Sequence, residues 1–216
     1  MSIAPVEHAF ANADAQAQAL ADAVAARLRE GIDARSGAWL AVPGGATPRK
    51  FLAALARQAL DWPRVTVILT DERLVPADDA RSNERMLREV LIAPTQARFV
   101  PLQSGVPRPF DAVVLGMGAD GHCASLFADG DNIAAALRVD TVESVLNMRS
   151  PSVPEARVTL TLSALVATRA LFVLIRGADK RRTLESALRG VEPFARAPIR
   201  AVLEHAPVAP QIYWSP

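Results

Sequence analysis

Short apolar runs, each followed by a turn of glycine or charged residues and then by helical spacing, constrain this chain more than any other feature. Ala38–Val42, Val65–Leu69, Asp111–Leu115 and Leu171–Ile175 are such runs. A strand in a parallel sheet is covered by helices on both faces, so neither face of it needs polar side chains. The segments between the runs read as helices. Residues 9–31 carry Phe10, Leu20, Val24 and Leu28, with Gly31 as the stop. Pro48 sits at a first helical position, ahead of Phe51, Leu52, Leu55 and Leu60. Ser82-Asn83 caps a helix over 84–92, Leu184 and Leu188 mark one over 178–189, and 199–203 is a short one. Val142–Met148, Arg157–Leu162 and Gln211–Trp214 read as further strands. The alternation predicts an α/β fold, with a mostly parallel sheet and helices on both faces.

The 216 residues suit one domain, and a chain of this mass buries roughly 70% of its unfolded surface without staples. Half the residues are apolar and 22% are charged, which excludes a disordered or coiled-coil chain. The net charge of +1 gives no electrostatic case for nucleic acid or an anionic membrane. No run approaches a membrane span of about 20 apolar residues. The first residues have neither the basic nor the apolar region of a secretory signal. A single cysteine, Cys123, excludes a disulfide framework and a multi-thiolate zinc site, and it fits a reducing compartment. The proline-rich stretches 101–109 and 149–156 are too short to be domain linkers.

In open parallel α/β sheets, ligands bind beyond the carboxyl ends of the strands. Four runs lead into turns suited to that. Val42 enters Pro43-Gly44-Gly45-Ala46-Thr47-Pro48, and Leu69 enters Thr70-Asp71-Glu72-Arg73. Leu115 enters Gly116-Met-Gly-Ala-Asp120-Gly-His122, and Ile175 leads through Gly177 to Lys180. In a parallel sheet all four share one rim. Gly44, Gly45 and Thr47 before a helix suit an anion, through backbone N–H groups, a hydroxyl and the helix dipole. They match neither a Walker loop nor GxGxxG, and a plain strand-to-helix turn is the alternative.

His122 is a candidate general base, since neutral imidazole takes protons at neutral pH. Asp120 would order its ring or the substrate; the competing reading is a loop histidine capping the next helix. His8 and His205 read as surface residues and Cys123 as a small buried one. Asp71 and Arg73 at a strand end suit substrate contacts, or form a solvated turn. Arg157 and Lys180, together with Gly45 and Thr47, suit a phosphate clamp, or are surface charges. Three histidines, one cysteine and no His-x-x-x-His spacing leave no metal and no cofactor expected.

Taken together and in order, these motifs resemble the 6-phosphogluconolactonase family. The resemblance rests on Val42–Pro48, on Thr70-Asp71-Glu72-Arg73-Leu-Val-Pro76 with Ser82-Asn83, and on Leu115–Phe127. Arg157-Val-Thr-Leu-Thr161, Gly177-Ala-Asp-Lys180 and Ile212-Tyr-Trp214 extend it from about residue 9 to the end. It implies a single-domain, Rossmann-like fold and metal-free hydrolysis of 6-phosphogluconolactone to 6-phosphogluconate, in the oxidative pentose phosphate pathway. His122 would activate water, with Arg73 and the Gly44–Gly45 amides as oxyanion donors. Asp71 and Asp120 would orient sugar hydroxyls or the imidazole. Ser125 is expected to pack at the start of a helix and not to act as a nucleophile. The expected partner is a phosphosugar lactone, not nucleic acid or membrane, for a cytoplasmic monomer or homodimer.

The chain departs from the family's usual pattern at Ala46 (often Ser), Ala119 (often Pro) and Cys123 (often Thr), and 128–148 is compact. The related glucosamine-6-phosphate deaminases share the glycine-rich turn and the Asp-Gly-His turn. They carry a glutamate five residues after the histidine, where this chain has Phe127. A non-catalytic sugar-phosphate sensor is a further alternative, although no helix-turn-helix segment precedes the domain.

Overall fold

The computed structural model of the protein describes residues 3–102, 106 and 109–216. The chain opens with β1 (Val6–Ala9), α1 (Ala13–Arg35), β2 (Ala38–Val42), α2 (Ala46–Ala56), β3 (Val65–Leu69) and β4 (Asp71–Arg73). Next come α3 (Asn83–Leu87), which runs through a π turn into α4 (Ala93–Thr95), then β5 (Arg98–Phe99) and β6 (Ala112–Gly116). The second half holds α5 (Ile133–Ala136), β7 (Val145–Met148), β8 (Arg157–Leu160), α6 (Leu162–Val166) and β9 (Leu171–Arg176). It closes with α7 (Ala178–Leu188), α8 (Pro198–His205) and β10 (Gln211–Ser215).

Seven strands form one sheet in the order β1-β10-β9-β6-β2-β3-β5, and every pairing in it is parallel. Successive side chains on a strand point to opposite faces. Leu40, Val42, Val67, Leu69, Val114 and Leu174 face one core, shared with Leu20, Val24 and Leu28 of α1 and Phe51, Leu52 and Leu55 of α2. Ala41, Ile68, Val113, Leu115, Val173 and Ile175 face the other, shared with α6, α7 and α8 through Leu165, Leu184, Ile199 and Val202. Burying such side chains contributes about 1.5–3 kcal/mol each, which is why continuous apolar runs and helices on both faces occur together. From β2 the chain moves outward through β3 to β5, then returns to place β6 on the other side of β2. The strand order therefore reverses between β2 and β6, the position at which open α/β sheets bind ligands.

Several boundaries differ from the sequence reading. β1 lies within what reads as loop and helix start; it is a short edge strand, mostly exposed, and gives no apolar signal. α1 begins after the Asn12 cap, whose side chain accepts from the backbone N–H groups of Asp14 and Ala15, and it passes through Gly31 to Arg35. Gly31 is there for close approach: a Cβ would meet the Asp111 carboxyl carbon at 2.8 Å. Pro48 is the third residue of α2, not its first, and Leu60 lies beyond that helix. Asp71–Arg73 is not a turn but strand β4, which pairs antiparallel with β8, as β7 does. Those three strands make a separate small sheet over the rim, outside the parallel one. Within the proline-rich stretch 101–109, residues 103–105, 107 and 108 lie outside the described residues. Among the described residues no helix is long and apolar enough to cross a membrane.

Candidate active site

All four predicted turns converge on a cleft of about 340 Å³ at the carboxyl rim of the sheet. Gly44, Gly45 and Thr47 line it from the β2–α2 turn, Asp71 and Arg73 from β4, and His122 from the loop after β6. Arg157 enters from β8 and Lys180 from the first turn of α7. Asp120 is not in the lining; it stands behind His122 and contacts the ring. Asn83, Ser125 and Phe127 also face the cleft. No periodicity or charge marks these three, because their part in the site depends on which loops meet.

The loop after β6 is wound tightly enough to aim its histidine. The Gly118 N–H donates to the His122 carbonyl at 2.9 Å, and the Gly121 N–H to the Gly118 carbonyl at 3.1 Å. A Cβ on Gly118 would fall 2.3 Å from the His122 ring and 2.4 Å from Asp120, so the turn requires glycine there. The Ile199 N–H donates to the Gly121 carbonyl and the Thr183 hydroxyl to the Ala119 carbonyl, which ties the loop to α8 and α7. His122 Nδ1 sits 2.6 Å from Asp120 Oδ1. That hydrogen bond is the main cause holding the Asp120 carboxyl below its usual 3.8, so the carboxylate is ionised and Nδ1 carries its proton. Nε2 is then the ring nitrogen left to meet a substrate. The ring rests on Phe127, centroid to centroid 4.7 Å. No helix follows, so His122 caps nothing and Ser125 does not start a helix, contrary to both expectations.

Pairing of β4 with β8 explains the charged cluster. Asp71 lies opposite Thr159, and Arg73 directly opposite Arg157. Like charges facing across an antiparallel pair repel. Arg157 is only 8% exposed, and its Nε has no hydrogen-bond partner. Burial first, and the Arg73 guanidinium second, push the Arg157 pKa down, while Asp71 and Glu155 oppose them. Two mutually repelling guanidinium groups at the wall of a cleft suit an incoming anion. Arg73 is steadied by donating to the Arg81 carbonyl and, at 3.0 Å, to Asn83 Oδ1. Asp71 is buried, and desolvation raises its carboxyl above the usual 3.8 against the opposing pull of Ser125, Arg157, Arg73 and His122.

The glycine turn does two separate things. Gly44 makes room for Asn83, whose side chain a Cβ would meet at 1.9 Å. Gly45 has φ 99° and open space around it, and serves as an N-cap without a side-chain hydrogen bond. The first turn of α2 carries no acidic residue, so its N–H groups and dipole face the cleft unopposed. α7 starts in a similar way from Gly177, at φ 87°. A lysine in the first turn of a helix works against the dipole. Lys180 makes no hydrogen bond or ion pair among the described residues, and it points a free charge at the same cleft.

Of the residues set aside, Cys123 is fully buried and its thiol is pushed far up by burial, so it is inert. His205 is exposed on α8. His8 is not a plain surface residue: half-buried, it contacts Gln211 at 2.8 Å and packs at a tilt against Tyr213. No group of three or more His, Cys, Asp or Glu among the described residues is placed to hold a metal ion.

Residues 11–107 and 102–214 match the family model described as glucosamine-6-phosphate isomerases/6-phosphogluconolactonase. The chain is 41% identical to a 6-phosphogluconolactonase of Rhizobium meliloti, over 97% of this chain and 98% of that one. Among solved structures it is similar to a 6-phosphogluconolactonase from Shewanella baltica, with TM-score 0.90, 34% identity and full coverage of both chains. A putative 6-phosphogluconolactonase from Neisseria gonorrhoeae superposes with TM-score 0.91 and 32% identity, over 98% of this chain and all of that one.

Proposed function

The chain belongs to the glucosamine-6-phosphate isomerase/6-phosphogluconolactonase family, and from that membership we propose that it hydrolyses 6-phospho-D-glucono-1,5-lactone to 6-phospho-D-gluconate. The observation that carries this reading is the surroundings of His122. An ionised aspartate fixes one ring nitrogen, and the other is left at the rim of a cationic cleft. Phe127 fills the place where the deaminases of the resemblance hold a glutamate. It supports lactone hydrolysis over ring-opening isomerisation, because a phenyl ring moves no proton.

His122 Nε2 takes a proton from a water molecule as that water attacks the lactone carbonyl. Asp120 stabilises the resulting imidazolium. The oxyanion develops beside Arg73 and the amides of the Gly44–Gly45 turn. The imidazolium then returns its proton to the ring oxygen as the C–O bond breaks. Asp71 accepts hydrogen bonds from sugar hydroxyls. The phosphate lies at the helix N-termini, with Gly45, Thr47, Lys180 and Arg157 as its partners. The whole chain acts as one domain, a monomer or homodimer in the cytoplasm, with no cofactor.

A lactone hydrolysis assay on purified protein, corrected for spontaneous opening, tests the reading. Turnover of 6-phosphogluconolactone is expected. Ammonia release from glucosamine 6-phosphate without lactone turnover would favour the deaminase reading, and binding without turnover of either would favour a sensor.

A further inference from the structure

Asp71 poses a problem of its own. It is a buried carboxylate, 8% exposed, in a cleft whose walls also carry Arg73 and Arg157. Opposite charges in a desolvated space attract strongly. Yet Asp71 forms no ion pair within 4.0 Å with either arginine among the described residues. Its oxygens face hydroxyls instead: Ser125 Oγ donates to Oδ2 at 2.6 Å, and Thr70 Oγ1 to Oδ1 at 3.3 Å. Ser125 is fully buried, and its own N–H donates to Thr159 Oγ1 at 3.2 Å. Ala124 just before it sits at φ 49°, in the left-handed region that a non-glycine residue adopts at a cost. That strained residue turns the chain so that the serine follows His122 back into the cleft.

We propose that Ser125 is the positioning residue for Asp71: its hydroxyl holds the carboxylate facing the substrate and keeps it from closing onto Arg157. Three consequences follow from the geometry. The carboxylate stays open to sugar hydroxyls. The guanidinium of Arg157, whose Nε has no partner, stays available to an anion. One loop, 118–127, orients both working groups, with Asp120 setting His122 and Ser125 setting Asp71.

The inference rests on the lactonase reading, and a double-mutant cycle separates the two. Ser125→Ala, Asp71→Asn and the double variant are compared for 6-phosphogluconolactone turnover and, by calorimetry, for 6-phosphogluconate binding. Ser125→Ala is expected to lower kcat/KM about 10–100-fold, the range for losing a hydrogen bond to a charged group. It is also expected to weaken product binding, as Arg157 becomes paired with Asp71. In the Asp71→Asn background the serine change is expected to cost little more, because the group it positions has lost its charge. Ser125→Cys keeps the volume with a weaker donor, and an intermediate loss is expected; it replaces the alanine variant in the cycle should that one not fold. Equal losses in both backgrounds mean that Ser125 acts independently of Asp71 and overturn the proposal. So does a loss for Ser125→Ala far beyond that of Asp71→Asn with a trappable acyl-enzyme, which marks a nucleophile. An inactive wild-type protein removes the lactonase reading instead.

Discussion

Replacing Gly44 by alanine tests whether the glycine turn supports the arginine or merely approaches the substrate. The new Cβ would lie 1.9 Å from the Cγ and Oδ1 of Asn83, whereas real Cβ contacts stay beyond 3.0 Å, so Asn83 must move. Asn83 is 3% exposed and held by partners on both ends of its side-chain amide, so any movement takes it off them. Two hydrogen bonds are at stake. Asn83 Nδ2 donates to the Asp71 carbonyl at 2.9 Å, and Arg73 Nη1 donates to Asn83 Oδ1 at 3.0 Å. A neutral bond contributes about 1 kcal/mol and a charged one about 1.5–3 kcal/mol, so the expected destabilisation is roughly 2–4 kcal/mol. For a chain of this length that corresponds to a Tm lowered by about 5–15 °C. Arg73 keeps its bond to the Arg81 carbonyl but loses its aim, and kcat/KM is expected to fall about 10–100-fold. Gly45→Ala is the comparison: nothing lies within 4 Å of that Cβ, so only the backbone, at φ 99° and ψ 176°, is strained, at about 1–3 kcal/mol. Thermal melts and steady-state kinetics on both variants read the difference. A Gly44→Ala protein with wild-type Tm and wild-type kcat/KM would refute the reasoning, since no placement of Asn83 would then matter to Arg73.

His122→Ala is expected to lower kcat by about 10²–10⁴-fold with an unchanged fold, read by kinetics and circular dichroism; near-normal turnover takes His122 out of the mechanism. Lys180→Ala is expected to raise KM for the phosphorylated lactone by the equivalent of about 2–3 kcal/mol while leaving unphosphorylated gluconolactone turnover alone, and parallel losses on both substrates would show a structural role instead. Because burial raises the Asp71 carboxyl above 3.8, stability is full below the unfolded pKa and is lost as pH rises through the folded one, where the buried group ionises. Asp71→Asn is therefore expected to melt higher than wild type at pH 8, with the gap closing toward pH 4, and to be less active; a lower Tm at pH 8 would contradict the burial argument. EDTA is expected to leave turnover unchanged, since a histidine base activates water without an ion; activity lost to EDTA and restored by one divalent ion would require a metal step.

The parallel sheet was readable because its strands are buried on both faces. Val65–Leu69 and Leu171–Ile175 need no polar side chains, and their bare apolar runs stand out in the sequence. Once those strands are parallel, the four polar turns must share a rim, and Gly45, Asp71, His122 and Lys180 line one cleft there. β1 escaped notice because a four-residue, largely exposed edge strand owes its existence to β10, not to its own pattern. β4 escaped for a related reason: three residues of mixed charge become a strand only where β8, more than eighty residues later, supplies the hydrogen bonds.

Which side chains reach the rim follows from the period of the apolar pattern and the direction of the chain, both present in the residues alone. Which of those side chains meet depends on the packing of the folded chain. Arg157 stands opposite Arg73, Asn83 fills the space that Gly44 leaves, and Ser125 reaches back to Asp71 across fifty-four residues. Those meetings depend on distances of about 3 Å between segments far apart in the chain, and local propensity carries no information at that range.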